Sequence, residues 1–174
     1  TILTGRHKGG NTHFGAFILL IPLIMGGTIR DASEIVRQTT VQDALDFYDA
    51  FAHTAVRVRE EDELDINDPQ AKEELVRRKM TFFDVMEYSA PHDLVAREIT
   101  EGFPLTRYTA DLLIRNQDEQ NPISKVFLTL LSQYPDTFIA KKYGNAASEL
   151  VRKQAARVVA GEISAAVLDD FCLE

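Results

Sequence analysis

Glycines, prolines and capping residues cut this chain into segments of helical length, and none of the intervening stretches alternates apolar and polar residues as a strand hairpin would. Asn11 and Thr12 can cap a helix through Met25, with Pro22 kinking it and Gly26-Gly27 ending it. A short helix over 31–38 follows. Thr40 and Asp43 have capping-box spacing and open a helix over 41–54, whose Ala44, Phe47, Tyr48 and Phe51 share one face and should be core. The stretch 57–68 is charged without apolar periodicity and reads as a surface connection, after which Pro69 suits the first turn of a helix. Helical spacing returns with Phe82, Val85, Met86 and Ser89 and stops before Pro91. A turn and helix over 93–102 and a segment from Pro104 come next. Helices are then expected over 123–133 after Asn121-Pro122, from an Asp136 cap, over 146–160 before Gly161, and from Ser164. The expectation is an all-α fold, a compact bundle of about seven to nine helices in a single domain spanning 1–174.

The 174 residues, 45% of them hydrophobic and 26% charged, suffice for one core without a disulfide or metal staple. The single Cys172 has no partner for an internal disulfide, and a reducing cytoplasmic setting is the expectation. The longest apolar run, 14–25, falls short of the roughly 20 residues of a bilayer span and contains Pro22, so it reads as a buried helix. The residues before it are Gly-rich and polar, unlike a signal peptide. A net charge of −8 argues against nucleic acid or an anionic membrane as partner, while leaving room for a local basic pocket.

Three clusters carry residues suited to chemistry. In the first, Gly5 to Gly15, glycines admit backbone amides to an anion, the following helix start supplies unpaired N–H groups, and Arg6 and Lys8 add charge. Its spacing matches neither the P-loop nor the dinucleotide fingerprint, and a capped chain end is the alternative. The second, His92-Asp93-Leu94-Val95-Ala96-Arg97-Glu98, places Asp93 where it either caps a helix and pairs with Arg97 or meets a nucleotide or magnesium ion. In the third, Tyr134 to Gly144, Asp136 and Thr137 can orient a hydroxyl or hydrated metal and Lys141 and Lys142 can meet phosphates. Capping at one end and dipole-favoured lysines at the other explain the same letters. A fourth arrangement, His53, His92-Asp93 and Asp136, follows the order of helical HD-type metal phosphohydrolases, with no second ligand beside His53.

Order and separation of the first three clusters resemble the triphosphoribosyl-dephospho-CoA synthase family, especially its archaeal-type branch. Gly10-Asn11-Thr12-His13-Phe14-Gly15 resembles the family's Gly-x-Asn-Thr-x-x-Gly segment, and the apolar Ile18 to Leu23 resembles the helix after it. His92-Asp93-Leu94-Val95-Ala96 echoes an Arg-Asp-Leu-Val/Ile-Ala element, with His in place of Arg. Pro135 to Gly144 resembles a Pro-Asp-Thr-Leu-Ile-Ala-Arg-Lys-x-Gly element. The family's upstream Pro-Gly-x-Val-type segment and downstream Asn-Pro-Gly-type segment have no counterpart here, and the chain starts with Thr, so it reads as part of a longer family domain.

The resemblance implies transfer of the triphosphoribosyl group of ATP to dephospho-CoA, or a related nucleotide acceptor, with release of adenine in prosthetic-group biosynthesis. It implies Gly10, Asn11 and Thr12 at the nucleotide phosphates, Lys141 or Lys142 at the triphosphate, and Asp93 and Asp136 as catalytic residues at Mg²⁺ or ribose hydroxyls. ATP is then a substrate, and a homo-oligomer is compatible with such a chain. Two other readings stay open: an HD-like metal-dependent phosphohydrolase, and a noncatalytic helical interaction module with an exposed apolar patch.

Overall fold

A computed structural model describes residues 14–52 and 70–164. Among them are ten α-helices and no strand, so the all-α expectation holds while the helix count exceeds the expected seven to nine. Turns of only a few residues separate several short helices, and such turns merge easily in a reading of periodicity alone. The chain divides into two compact units, Thr1–Phe103 and Pro104–Glu174. The first contains α1 (Phe14–Gly26), α2 (Ile29–Arg37), α3 (Val41–Ala52), α4 (Ala71–Arg78), α5 (Phe82–Ser89) and α6 (Leu94–Thr100). The second contains α7 (Pro104–Arg115), α8 (Pro122–Gln133), α9 (Thr137–Tyr143) and α10 (Asn145–Val159). The expected connection at 57–68 and the helix from Ser164 lie largely or wholly outside the described residues.

Local side-chain bonds start many of these helices. At α3 the Thr40 amide donates to Asp43 Oδ2 at 2.7 Å, and the Asp43 amide donates to Thr40 Oγ1 at 3.3 Å. Thr81 and Asp84 repeat this reciprocal arrangement at α5, satisfying amides that have no partner inside the helix. The α2 helix starts two residues earlier than expected because Thr28, through Oγ1, accepts the Asp31 amide at 3.1 Å. Helix α1 runs through Pro22, which is buried.

The core of the first unit joins Ala32 and Val36 of α2, Ala44 and Tyr48 of α3, Ala71 and Leu75 of α4, Val85 and Met86 of α5, Ala96 and Ile99 of α6, and Phe103. Ala44 and Tyr48 are buried as expected, and Phe47 packs against the cluster. Close approach of α1 and α2 depends on Gly26, where an added Cβ would lie 2.5 Å from the Ala32 amide nitrogen. At the end of α6, Gly102 has φ +81°, and the Phe103 amide turns back to the Glu98 carbonyl at 2.7 Å. That six-to-one bond closes the helix as a Schellman turn. Phe103 itself has φ +62° and is fully buried, so burial of the ring offsets a backbone conformation disfavoured for L-residues.

In the second unit α8 packs on α7 and α10, and α9 packs on α10. Gln133 Nε2 donates to the Tyr108 hydroxyl at 3.0 Å, tying α8 to α7. No single described helix is long and apolar enough to cross a membrane; α1 and α2 together reach the length and composition but meet at a bend of 109°.

Candidate functional site

Gly10, Asn11 and Thr12 lie outside the described residues, as does His53. Phe14 and Gly15, the last two residues of the first cluster, open α1, whose start is held from two sides. The Phe14 ring packs against Phe47 and Phe51 of α3, with centroids 5.7 and 5.4 Å away. On the other side Gly15 faces α6, where a Cβ built on Gly15 would be 3.6 Å from Val95 Cγ2. Gly15 ends the first sequence cluster and Val95 belongs to the second. The last residue of the first cluster therefore meets the second cluster, 80 positions later in the chain.

Asp93 is the N-cap of α6. Its Oδ1 accepts the Val95 amide at 2.8 Å and the Ala96 amide at 3.0 Å. The side chain is partly buried and held by two amide donors, and its carboxylate sits at the positive end of the helix dipole. Arg97 lines an open pocket of about 560 Å³ with Glu87, Ala90, Pro91, Thr100 and Glu101. One guanidinium and two carboxylates make this pocket a mixed-charge surface, and Asp93 is not among its lining residues. Glu98, next in the cluster, is buried at 4% exposure.

Asp136 has the same local role in the second unit. Its Oδ1 accepts the Phe138 and Ile139 amides at 2.8 and 2.9 Å, capping α9. Its backbone carbonyl accepts a 2.8 Å bond from Ser148 Oγ of α10, and Ser148 is almost fully buried. Lys141 and Lys142 occupy the last turn of α9, with Lys142 Nζ 4.8 Å from the centre of the Tyr143 ring. Gly144, at φ +95°, ends α9 and precedes α10. Ser148 and Arg152 were not singled out in the sequence. Arg152 Nη1 donates to the Ser132 carbonyl at 3.2 Å, and neither contact has a local sequence signature because each spans a dozen or more residues.

Both aspartates thus cap helices, which was one of the two readings of each cluster. At Asp136 capping uses only Oδ1 in the bonds described, so it does not exhaust the carboxylate's acceptor capacity. No group of three or more His, Cys, Asp or Glu side chains able to hold a metal occurs among the described residues. That donor set does not suit an all-protein metal cage.

The family model described as ATP:dephospho-CoA triphosphoribosyl transferase matches residues 2–174. Among solved structures, the chain is similar to a protein from Archaeoglobus fulgidus assigned as a triphosphoribosyl-dephospho-CoA synthase, with a TM-score of 0.73 and 25% sequence identity. The similarity covers 91% of this chain and 73% of that one. No curated protein matches the chain.

Proposed function

This chain belongs to the ATP:dephospho-CoA triphosphoribosyl transferase family, and on that premise we propose how its residues serve the transfer of the triphosphoribosyl group of ATP to dephospho-CoA. In this reaction the bond between the ribose anomeric carbon and adenine breaks. A bond from an acceptor ribose hydroxyl to that carbon forms, and the hydroxyl proton leaves with adenine. The protein has to hold a triphosphate, offset its charge and stabilise positive charge on the ribosyl ring as the adenine departs. The product serves prosthetic-group biosynthesis, and the net acidic chain is assigned a cytoplasmic setting, with ATP and dephospho-CoA rather than nucleic acid or membrane as partners.

The approach of Gly15 to Val95 carries the reading. It sets the residues just after Gly10, Asn11 and Thr12 against the element that begins with Asp93. In the reading, Gly10, Asn11 and Thr12 take the nucleotide phosphates. Asp93 takes a ribose hydroxyl or a phosphate-bound Mg²⁺, and its double amide bond fixes the direction of the carboxylate before substrate arrives. Asp136 is assigned the same chemistry in its own unit, with its backbone anchored by Ser148. Lys141 or Lys142 meets the triphosphate. Magnesium, when bound, supplies charge neutralisation at the phosphates.

Thermal unfolding with and without ATP and Mg²⁺, followed by chromatographic detection of adenine in the presence of dephospho-CoA, tests the reading. A raised unfolding midpoint together with adenine release is expected. Asp93→Asn and Asp136→Asn separate capping from chemistry, because Asn caps a helix about as well as Asp. Each should leave the midpoint nearly unchanged and lower adenine release by at least tenfold. Unchanged turnover in either variant removes that residue from the mechanism.

A further inference from the structure

Helix α1 has no polar or charged side chain anywhere along Phe14–Gly26. Its inner face, formed by Ile18, Leu19, Leu23 and the buried Pro22, packs on the first unit's core. The opposite face consists of Phe17, Leu20, Ile21, Ile24 and Met25, spaced i, i+3, i+4, i+7 and i+8. It is open to solvent, with exposure rising from 44% at Phe17 to 77% at Ile24. A helix that is apolar all round belongs in an interior, and the exposed half of this one forms a continuous stripe rather than scattered single residues.

We propose that this face is an interface between two copies of the chain, with the two α1 helices packed against each other across a twofold axis. The five side chains present roughly 600 Å² in each copy, so a symmetric pair that covers them fully buries about 1,200 Å², the lower edge of a stable protein interface. A twofold contact needs a patch complementary to itself, and an uncharged aliphatic and aromatic helix face meets that requirement through ridge-and-groove packing. Charge points the same way. The chain carries a net −8, so two copies approach with least repulsion at a face that contributes no charge. A lipid surface fits less well: α1 has no Lys or Arg to meet headgroups, and its 13 residues cannot span a bilayer. This inference stands apart from the transferase reading and requires no bound nucleotide.

Sedimentation of the full chain across about 1 to 100 μM should show a monomer–dimer equilibrium. The double substitution Ile21→Glu with Ile24→Glu should weaken dimerisation at least tenfold while circular dichroism retains the helical signal. A chain that stays monomeric throughout, or a folded double variant with unchanged dimerisation, overturns the proposal. Should the double variant not fold, Ile24→Cys in a Cys172→Ser background keeps the test decisive. A short bis-maleimide should link two copies through position 24, and no linked dimer at a concentration where the protein self-associates overturns the interface. Capture of monomer on phosphatidylcholine vesicles, lost in the glutamate variant and unaccompanied by dimer, overturns it in favour of a lipid surface. Adenine release is read separately, so failure of the transferase reading is not mistaken for failure of the interface.

Discussion

Among the described residues of the first unit, eleven apolar side chains, from Ala32 on α2 to Phe103 after α6, are buried in one cluster. In the second, among the described residues, only Val126 and Ala155 are buried apolar side chains, with the polar Ser148 buried as well. The two units therefore differ in how much apolar packing holds their helices together. The first has interior volume to fill, and its stability should follow the packing of large side chains. Hydrogen bonds join elements in both: the Phe82 and Phe83 amides donate to the Thr40 carbonyl and the Thr39 hydroxyl in the first, and in the second Ser148 donates to the Asp136 carbonyl, Arg152 to the Ser132 carbonyl and Gln133 to the Tyr108 hydroxyl. Such bonds are directional, so they fix the position of the Asp136 segment even where little apolar surface is buried.

Phe103→Ala should have the largest effect, costing about 3–5 kcal/mol in urea-induced unfolding because it empties a fully buried ring site. An effect under about 1 kcal/mol would mean that neighbouring side chains collapse into the vacated space, and the contrast between the units would weaken. Val126→Ala in the second unit should cost about 1–2 kcal/mol, in line with two fewer buried carbons. If it matched Phe103→Ala, the second unit would be more tightly packed than its burial suggests. Ser148→Ala should cost a similar or slightly smaller amount, about 1–2 kcal/mol, by leaving the Asp136 carbonyl without its donor. It should also lower adenine release, which Val126→Ala should not; equal effects on turnover would deny Ser148 any part in positioning Asp136.

Acid should have the smallest effect on the contrast, because paired carboxylates occur in both units. Hydrogen bonding to Arg77 lowers the Glu74 carboxyl to about 2, and Arg78 adds to this. The Thr40 hydroxyl lowers Asp43, the Thr28 hydroxyl lowers Asp31, and Arg152 lowers Glu149. A carboxyl lowered in the folded state contributes stability above its unfolded value, near 4, and loses it as pH falls through the folded value. The unfolding midpoint should therefore fall as pH drops from about 5 toward 2. Glu74→Gln should flatten part of that decline, and an unchanged slope would show that the exposed Glu74 pairs contribute nothing measurable.

Much of the local architecture is legible in the sequence. Thr40 and Asp43 announce α3, Asp136 announces α9, and Gly161 marks the end of α10, because each feature satisfies or terminates backbone bonds within a few residues. The earlier start of α2 was harder to read because Thr28 follows two glycines that equally suit a loop. At the candidate site, sequence singles out Asp93, Asp136, Lys141 and Lys142 as candidates for chemistry. It left capping and catalysis as competing explanations for the same aspartates, and the structure shows that both aspartates do cap.

The sequence by itself determined the helical character, the helix boundaries set by caps and glycines, and the resemblance to one transferase family, since these depend on local bonding and on the order of short motifs. Only the tertiary structure decided that Gly15 meets Val95, that Ser148 supports Asp136, and which half of the uniformly apolar α1 is covered. A helix without polar residues carries no periodic signal to distinguish its faces. Contacts between residues far apart in the chain are chosen by how the helices pack together, and that choice leaves no mark within any short segment.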